Sequence, residues 1–354
     1  MNENYLIGLM SGTSLDGLDI AYCKFSFDGS WSYDIIHSKT IAYSKEFQEK
    51  LKNAPTRNKS QLNLLSDNFG ELMARELKKF VAEFSIDKLD GIASHGHTVF
   101  HEPEKRVTLQ IGSPEAIFSK FKCPIIYDFR SKDIALGGQG APLVPLADKY
   151  LFSCYQSCLN LGGFSNISFD INDVRIAFDI CPVNIVLNLL SNKIGYGYDD
   201  KGFFSSQGIV HVDLLNSLNN LKYFSQSFPK SLGWEWVDKY VIPLLDDSSI
   251  SVQNQIRTFV EHIVFQITRV VKANEIHSVL VTGGGAYNDF LLSRLNSISP
   301  GLFQKASNEL IEYKEAMCFA FLGLLRMKNQ VNVLSSVTGS HKDHSSGRLY
   351  PQDL

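Results

Sequence analysis

The chain has 354 residues, of which 44% are hydrophobic and 20% are charged, and its formal net charge is −3. At about 150 residues per domain, this length predicts roughly two domains, and the composition excludes a wholly disordered chain. The near balance of 34 basic and 37 acidic residues argues against a dedicated nucleic-acid or anionic-membrane binder. No apolar run approaches the roughly 20 residues that a membrane helix needs, and the first residues lack the pattern of a secretory signal. We therefore expect a cytoplasmic protein without nucleic-acid or membrane partners.

The cysteines give the same indication about the compartment. Six of them are scattered among mostly apolar neighbours, and no two form a C-x-x-C pair. This spacing excludes zinc-ribbon and thioredoxin-type sites. Free thiols in a reducing cytosol are therefore expected.

The first part of the chain alternates apolar runs with a glycine-rich turn. The runs YLIGLM and LDIAYCKFSF, separated by SGTSLDG, predict a β-hairpin, and a third strand is expected from Trp31 to Ala42. Helical spacing of apolar residues predicts a helix from Ser60 to Phe84. Short strands at 91–94, 107–110 and 124–127 and a helix that begins at Pro114 are expected next.

The stretch LGGQGAPLVP, from Leu136 to Pro145, is rich in Gly and Pro and is expected to be irregular. We place the main domain boundary near it. Domain I is then expected at residues 1–140, completed by part of 313–354, and domain II at residues 141–312. The same composition is also typical of an active-site loop.

The strand and glycine-turn pattern restarts at Ser157, where the runs SCLNL, ISFDI and VRIAF are separated by GGFSN and by a two-residue turn. This order predicts an internal duplication of the first β-meander. Helices are expected at 182–193, 208–218, 234–245 and 253–273, followed by a buried strand, a triple glycine, a helix from about Asn288 and a last helix at 313–327. Strands and helices mixed in both halves predict an α/β fold, with a loop and tail at 332–354.

Three loops that turn on glycine follow predicted strands: Ser11-Gly12-Thr13-Ser14, Gly162-Gly163 and Gly283-Gly284-Gly285. Glycine lets the backbone approach a phosphate closely, and successive N–H groups bind anions. Each loop alone is also explained as a tight turn, but three in one chain favour nucleotide binding. Asp16 or Asp179 could hold Mg²⁺ through water. The Walker A, G-x-G-x-x-G and H-E-x-x-H motifs are absent from the sequence.

Two acidic segments are candidates for catalysis. Asp179 follows the run VRIAF and precedes Pro182 and a helix, where a carboxylate could be a general base or only the helix N-cap. Asp128 and Asp133 flank Arg130, which could bind a substrate carboxylate or phosphate with two hydrogen bonds or form an ion pair with either aspartate.

Three histidines, His95, His97 and His101, cluster in the segment ASHGHTVFH. A zinc site is disfavoured because no Cys or close carboxylate pair completes a ligand set. Hydrogen bonding to a polar substrate is the favoured interpretation, and satisfied structural histidines are the alternative.

Beyond these single residues, ordered blocks of the chain resemble the anhydro-N-acetylmuramic acid kinases. The most specific are GLMSGTSLDGLD (8–19) and GGQGAPLVP (137–145), the latter within DFRSKDIALGGQGAPLVP (128–145). The other matching blocks are SHGHTVFHEP, LQIG, NLGGFSNIS, TGGGAYN, EAMCFAFLG and SVTGS. Together they span nearly the whole chain. The resemblance implies the fold of sugar kinases, actin and heat-shock ATPases, which is two duplicated actin-like (ribonuclease H-like) α/β domains with ATP in a central cleft.

The resemblance also implies an activity, that of a kinase dependent on ATP and Mg²⁺ that transfers phosphate to an alcohol group in cell-wall recycling. Water attacks the anomeric carbon of 1,6-anhydro-N-acetylmuramic acid while O6 takes the γ-phosphoryl group of ATP. The product is N-acetylmuramic acid 6-phosphate. A homodimer is expected from the resemblance alone.

The same resemblance assigns roles to residues of this chain. The Asp of the family motif FDTGPGN matches Asp179, which is thereby expected to activate the water. The residues expected to bind the phosphates of ATP are Ser11, Gly12, Thr13, Ser14, Asp16, Gly162 and Gly163, with Asp16 also the candidate for Mg²⁺. The nucleoside is expected at Gly283, Gly284 and Gly285. The sugar is expected at His95, His97, Arg130, Gln139 and Gly140.

The chain departs from the family pattern around these positions. FDTGPGN reads FDICPVN here, and His97 stands where the family usually has Gln. The stretch after Lys230 has a Leu for a Thr and a Trp for an Arg. The replaced positions are Ile180, Cys181, Val183, His97, Leu232 and Trp234. These changes bear on the substrate more than on ATP, so a kinase of another amino sugar, or a nucleotide-responsive sugar-binding homologue with little turnover, stays an alternative.

Overall fold

The structure is a computed structural model that describes residues 2–12, 14–247 and 249–352. The strands are β1 (Asn2–Ser11), β2 (Gly17–Phe27), β3 (Trp31–Ala42), β4 (Gly91–Glu102), β5 (Val107–Ile111), β6 (Ile125–Tyr127), β7 (Ser157–Leu161), β8 (Phe164–Ile171), β9 (Val174–Pro182), β10 (Val279–Thr282), β11 (Phe303–Lys305) and β12 (Arg348–Tyr350).

The α-helices are α1 (Lys45–Lys52), α2 (Lys59–Glu83), α3 (Pro114–Phe121), α4 (Ser131–Ala135), α5 (Val144–Leu151), α6 (Asn184–Asn192), α7 (Phe203–Gln207), α8 (Val212–Asn219), α9 (Trp234–Tyr240), α10 (Ile242–Leu245), α11 (Val252–Ala273), α12 (Asp289–Ile298), α13 (Asn308–Met327) and α14 (Ser335–Thr338). Short 3₁₀ segments lie at Ala54–Thr56, Pro103–Lys105, Asp200–Gly202, Lys222–Ser225 and Gly284–Tyr287.

The chain divides into two compact units. Unit 1 comprises Met1–Leu151 and Tyr313–Leu354, and unit 2 comprises Phe152–Glu312. The first unit therefore ends after α5 rather than at residue 140, because α5 packs on β3. The C-terminal segment from Tyr313 onward completes unit 1.

Each unit is built on a sheet with the same strand order. In unit 1 the order is β12-β6-β4-β1-β2-β3, with β5 paired to β4, and in unit 2 it is β11-β10-β7-β8-β9. Both begin with an antiparallel meander of three strands, whose first strand is extended by two strands that run parallel to it. The duplication and the α/β class are therefore confirmed, and the shared order is that of the actin-like, ribonuclease H-like arrangement.

The sheet of unit 1 is covered on both faces, which explains its buried strands. Asn58 and Gln61 close a capping box at the start of α2, and the apolar stripe of this helix, which includes Phe69 and Leu77, packs in one core with Ile7 and Leu9 of β1. On the other face a side chain at Gly8 would collide with the backbone carbonyl of Ala316 in α13. A residue without a side chain is therefore required where helix and strand come closest.

Most predicted elements are present, many of them begin or end at other residues than expected, and α5 and β12 were not predicted. The hairpin, the third strand, the helix after Asn58 and the helix that begins at Pro114 are confirmed. The strand β4 continues eight residues past the expected end at 94, to Glu102, and β9 continues to Pro182. The expectation of only loop and tail after residue 332 is wrong, because β12 pairs antiparallel with β6.

Three further features limit the kinds of function that the described residues support. Among the described helices, none is long and apolar enough to cross a membrane. The six cysteines are free thiols, and Cys154 alone among them is exposed. In the part of the chain that the structure describes, no three His, Cys, Asp or Glu side chains are grouped so that they could hold a metal ion.

Candidate active site

The turn between β1 and β2 carries the first predicted phosphate loop. The N–H of Leu15 donates to the carbonyl oxygen of Gly12 at 3.3 Å, which closes the turn. Ser14 and Asp16 are exposed, and Asp16 accepts the N–H of Tyr43 only through its backbone oxygen. Thr13 lies outside the described residues. The side chains of Ser14 and Asp16 are thus accessible to a ligand.

Ser11, at the end of β1, belongs to a buried hydrogen-bonded chain. The hydroxyl of Tyr43 donates to Ser11 Oγ at 2.7 Å, and Ser11 Oγ lies 3.1 Å from Nδ1 of His97 on the neighbouring strand β4. Burial lowers the pKa of His97 and raises the pKa of Tyr43, so both side chains are neutral near pH 7. His97 therefore lies next to Ser11, at the start of the turn between β1 and β2.

Arg130 lies in a second cluster of unit 1, with His95 and Gly140. Its Nε and Nη2 lie 3.0 and 2.9 Å from Nε2 of His95, and its Nη1 donates to the carbonyl of Gly140 at 2.8 Å. Nδ1 of His95 lies 3.0 Å from the carbonyl of Gly96, so the proton of the neutral ring is on Nδ1 and Nε2 accepts. Burial and the charge of Arg130 lower the pKa of His95 well below its usual range.

The ion pair of Arg130 with a neighbouring aspartate, which the sequence left open, does not form. Asp128 pairs with Arg348 at 3.0 Å. Asp133 accepts the N–H of Gly140 at 2.7 Å and the hydroxyl of Thr338 at 2.7 Å. Burial lowers the pKa of Arg130 to about 10, and Glu315 on α13 opposes this shift. The guanidinium is thus held rigidly by neutral acceptors, which leaves its charge available to an anionic ligand.

Glu315 and Gln139 complete the polar groups of this region. Gln139 is exposed, and its N–H donates to the carbonyl of Thr338 at 2.8 Å. Glu315 is exposed as a residue, while burial raises the pKa of its carboxyl group against the opposing charges of Arg130 and Lys314. No role was predicted for Glu315, although its block EAMCFAFLG was among those that carried the resemblance.

In unit 2, Asp179 lies inside β9 and not at a helix start. Asp179 pairs with Asn166 of β8. The helix α6 begins five residues after Asp179, and its N-cap is Val183. The alternative that Asp179 caps the helix is therefore wrong. The carboxylate is half-buried, and its Oδ2 accepts the N–H of Leu232 at 2.8 Å. Burial raises the pKa of Asp179, and the bond from Leu232 partly offsets this.

The segment after α8 holds Asp179 from both sides. The N–H of Asp179 donates to the carbonyl of Lys230 at 3.2 Å, and the hydroxyl of Tyr223 donates to the carbonyl of Asp179 at 2.6 Å. Lys230 Nζ lies 4.6 Å from the centre of the Tyr223 ring and donates to the carbonyl of that residue at 3.3 Å. Burial lowers the pKa of Lys230. The region thus combines a carboxylate of raised pKa with a lysine whose ammonium group lies at Tyr223.

The three replaced residues of FDICPVN face the protein interior. Ile180 is 2% exposed, and Cys181 and Val183 are fully buried. The Sγ of Cys181 lies 3.3 Å from Ser165 Oγ, and burial raises the pKa of this thiol to about 12. Val183, the N-cap of α6, has a φ of −129° and a ψ of −98°. These three side chains therefore pack in the interior of unit 2 and are not exposed at its surface.

The other predicted glycine loops of unit 2 lie around the start of α6. The carbonyls of Gly162 and Gly163 accept N–H groups of the α6 N-terminus, including that of Val183 at 2.8 Å. Gly284 and Gly285 line a pocket of about 410 Å³. The remaining lining residues are Asn184, Leu187, Asn188, Tyr198, Asp199, Asp200, Lys201, Tyr287, Asn288, Asp289 and Lys305. Two aromatic rings, amides and both signs of charge suit a nucleoside.

The predicted residues thus form four groups, two in each unit. In unit 1, His97 lies with Ser11 at the β1–β2 turn, and His95 lies with Arg130 and Gly140. In unit 2, Asp179 lies on β9, and the glycine loops surround α6. The partners of Asp179 at Tyr223 and Leu232, and Tyr43 beside Ser11, were not predicted, because no local signal in the sequence marks a residue that acts through a distant neighbour.

Comparison with protein families gives one match over nearly the whole chain. The family model described as anhydro-N-acetylmuramic acid kinase matches residues 4–352. The curated anhydro-N-acetylmuramic acid kinase of Shewanella sediminis (strain HAW-EB3) is 32% identical over 374 residues, and the alignment covers all of both chains. That of Pasteurella multocida (strain Pm70) is 33% identical over 373 residues, covering 99% of this chain and 97% of the relative.

Solved structures with a similar fold are more distant. Component A of the (R)-2-hydroxyglutaryl-CoA dehydratase of Acidaminococcus fermentans has a TM-score of 0.47 at 11% identity, covering 90% of this chain and 96% of that chain. A ROK family glucokinase of Streptomyces griseus, in complex with glucose and AMPPNP, has a TM-score of 0.40 at 11% identity, covering 90% and 99%. Likenesses this distant do not indicate what this chain binds.

Proposed function

The chain belongs to the anhydro-N-acetylmuramic acid kinase family, and from this we propose that it phosphorylates 1,6-anhydro-N-acetylmuramic acid with ATP. The match over residues 4–352 carries this conclusion. Water adds to the anomeric carbon, the bond from that carbon to O6 breaks, and O6 takes the γ-phosphoryl group. The products are N-acetylmuramic acid 6-phosphate and ADP.

Asp179 is the base that takes a proton from the attacking water. Leu232 holds one carboxylate oxygen at 2.8 Å, which orients the group and leaves the other oxygen to accept the proton. The raised pKa of Asp179 supports this role, because a more basic carboxylate takes up a proton more readily. The water attacks on the face opposite O6, as in an inverting glycosidase, and no separate acid is needed because phosphorus captures O6.

The phosphates of ATP bind at the β1–β2 turn, through Ser11, Gly12, Thr13 and Ser14, and at Gly162 and Gly163. The exposed, accessible carboxylate of Asp16 fits a role in holding Mg²⁺ through water. Bound there, Mg²⁺ would neutralise charge on the phosphates during transfer. The nucleoside binds in the pocket that Gly284 and Gly285 line, next to Gly283.

The sugar binds in unit 1 at Arg130, His95, Gln139 and Gly140, with His97 nearby. The acceptors that surround the Arg130 guanidinium are neutral, so its charge can bind the carboxylate that N-acetylmuramic acid carries. Glu315 opposes the lowering of the Arg130 pKa, which at about 10 leaves that side chain charged near neutral pH.

The other interpretations of the departures are not favoured. A kinase of another amino sugar, or a sugar-binding homologue with little turnover, would have to share full-length similarity with curated anhydro-N-acetylmuramic acid kinases. The burial of Ile180, Cys181 and Val183 also supports a site that tolerates these residues. We further propose a cytoplasmic homodimer that binds no nucleic acid.

The test is a reaction of purified protein with Mg²⁺-ATP and 1,6-anhydro-N-acetylmuramic acid in ¹⁸O-labelled water, followed by mass spectrometry. A phosphorylated sugar with one ¹⁸O atom is expected, since the new anomeric oxygen comes from water. Asp179→Asn should abolish this product and leave nucleotide binding intact. An unlabelled phosphorylated sugar, or no product while ATP still binds, would contradict the proposed reaction.

A further inference from the structure

The strand β9 ends the strand order of the unit 2 sheet, so one of its edges faces away from β8. The N–H of Asp179 donates to the carbonyl of Lys230 at 3.2 Å. Since the N–H and C=O groups of one strand residue point to the same side, both main-chain groups of Asp179 lie on this outer edge. The hydroxyl of Tyr223 donates to the Asp179 carbonyl at 2.6 Å. Residues 223–232 therefore supply the hydrogen-bond partners that a further strand would otherwise provide.

The backbone of β9 is irregular at the same place. Asp179 pairs with Asn166 of β8, whereas Cys181 pairs with Ser165, so Ile180 is the extra residue of a β-bulge. A bulge interrupts the regular ladder and re-aims the side chains beside it. The ladder with β8 thus does not by itself fix the backbone of Asp179, which makes its partners on the outer edge important.

Tyr223 is itself held in place by its neighbours. Its ring centre lies 5.4 Å from that of Trp236, and the residue is 5% exposed. The ammonium group of Lys230 lies 4.6 Å from the same ring centre and donates to the Tyr223 carbonyl at 3.3 Å. The carbonyl of the next residue, Phe224, accepts a hydrogen bond from Arg269. The hydroxyl of Tyr223 therefore has a fixed place beside β9.

We propose that Tyr223 is a positioning residue, which holds the main chain of Asp179 so that the N–H of Leu232 keeps its 2.8 Å bond to one carboxylate oxygen. The segment 223–232 contacts Asp179 at its N–H, its carbonyl and its side chain. Loss of the bond to the carbonyl lets the backbone of Asp179 move and weakens the bond from Leu232. That Asp179 is the base rests on the proposed function, whereas these contacts do not depend on it.

The positioning is measured first on the full chain without substrate, from the ¹³C resonance of the Asp179 carboxyl group, identified by its absence in Asp179→Asn. The bond from Leu232 lowers the pKa of Asp179 against the effect of burial, so we expect a higher titration midpoint in Tyr223→Phe than in the wild type. Burial raises the pKa values of Cys181 and Tyr223, so neither changes charge in the acidic range, and Lys230 is common to both proteins. An unchanged midpoint would overturn the proposal whether or not the protein is a kinase.

Kinetics then test the link to the reaction. At a pH well above the midpoint, the loss of one neutral hydrogen bond predicts a roughly 5-fold fall in kcat for Tyr223→Phe. The KM for ATP should not change, because the bond acts on the base and not on the nucleotide. A wild-type kcat and pH profile would overturn the role of Tyr223 in the reaction. A shifted Asp179 midpoint in a protein that forms no phosphorylated sugar would support the positioning and contradict the proposed function alone.

Tyr22→Phe is the matched control. Tyr22 belongs to unit 1 and is 6% exposed, and its hydroxyl donates to the carbonyl of Lys88 at 2.7 Å. The substitution removes the same kind of buried hydrogen bond, so the loss of stability should be similar in both variants. In Tyr22→Phe, however, kcat, its pH profile and the Asp179 midpoint should equal those of the wild type. Equal changes in the two variants would show that Tyr223 acts only through stability.

Discussion

The triple glycine offers a test in which neighbouring positions should respond differently to the same substitution. Gly283 has a φ of +80° and a ψ of 162°, a conformation that is essentially restricted to glycine. A Cβ there would lie 2.4 Å from Asn160 Oδ1 and 2.8 Å from the backbone carbon of Leu161. Gly283→Ala therefore adds backbone strain of about 1–3 kcal/mol and overpacking of about 1–3 kcal/mol.

The expected loss of stability for Gly283→Ala is thus about 2–6 kcal/mol. At about 2–4 °C per kcal/mol, the unfolding temperature of unit 2 should fall by roughly 5–20 °C. Differential scanning calorimetry of the full chain measures this shift. An unfolding temperature within a degree of the wild type would refute the reasoning, because it would mean that Leu161 and Asn160 yield without cost.

Gly284→Ala is the matched substitution one residue along. A Cβ at Gly284 would meet only Asn184 Nδ2, at 3.8 Å, so the unfolding temperature should not change. The added methyl group projects from the wall of the proposed nucleoside pocket. We expect the KM for ATP to rise several-fold while the KM for the sugar stays constant. An unchanged KM for ATP in a stable Gly284→Ala protein would remove this pocket from the nucleoside site.

Three further predictions follow from buried charges and titrating groups. Burial raises the pKa of Asp179, and the base must be ionised to act, so kcat should fall with decreasing pH around a midpoint above 3.8, the usual pKa of an aspartate. The affinity for ATP, measured at the same pH values, should not follow this curve. Burial lowers the pKa of His262 from 6.5 to about 3, so between these values the unfolded chain binds a proton that the folded chain does not. The free energy of unfolding should then fall by up to about 1.4 kcal/mol for each unit that the pH decreases. Measured by urea unfolding, the free energy of His262→Gln should depend less steeply on pH than that of the wild type. An identical pH dependence would exclude His262 as the cause. Lys314 and Asp148 form an ion pair at 2.8 Å, and their side chains are only 9% and 6% exposed. Lys314→Met should therefore lower the free energy of unfolding of unit 1 by about 3–5 kcal/mol, measured with urea. Adding Asp148→Leu should recover part of this loss, and no recovery would argue against the ion pair as its origin.

Local patterns in the sequence were sufficient for most elements and for the duplication. Alternating apolar runs around SGTSLDG and GGFSN predict the meanders, because strand formation and tight turns depend on neighbouring residues. The helix α2 follows from the spacing of its apolar residues, and α3 follows from Pro114 at its first position. The glycine loops, Asp179 and Arg130 could likewise be proposed as site residues, since their chemistry is evident from residue type.

Long-range contacts were decisive for what these residues can do. The strand β12 could not be predicted, because its partner β6 lies more than 200 residues earlier and its own three residues carry little signal. The same holds for Leu232, which is 53 residues from the Asp179 carboxylate that it holds, and for Tyr43, which is 32 residues from Ser11. Whether Asp179 caps a helix or lies inside a strand, and whether Arg130 forms an ion pair with a neighbouring aspartate, was decided only by the fold. The sequence determines which chemical groups are present. The pKa values and hydrogen-bond directions of these groups depend on burial and on hydrogen-bond partners, and both come from residues that are far apart in the chain.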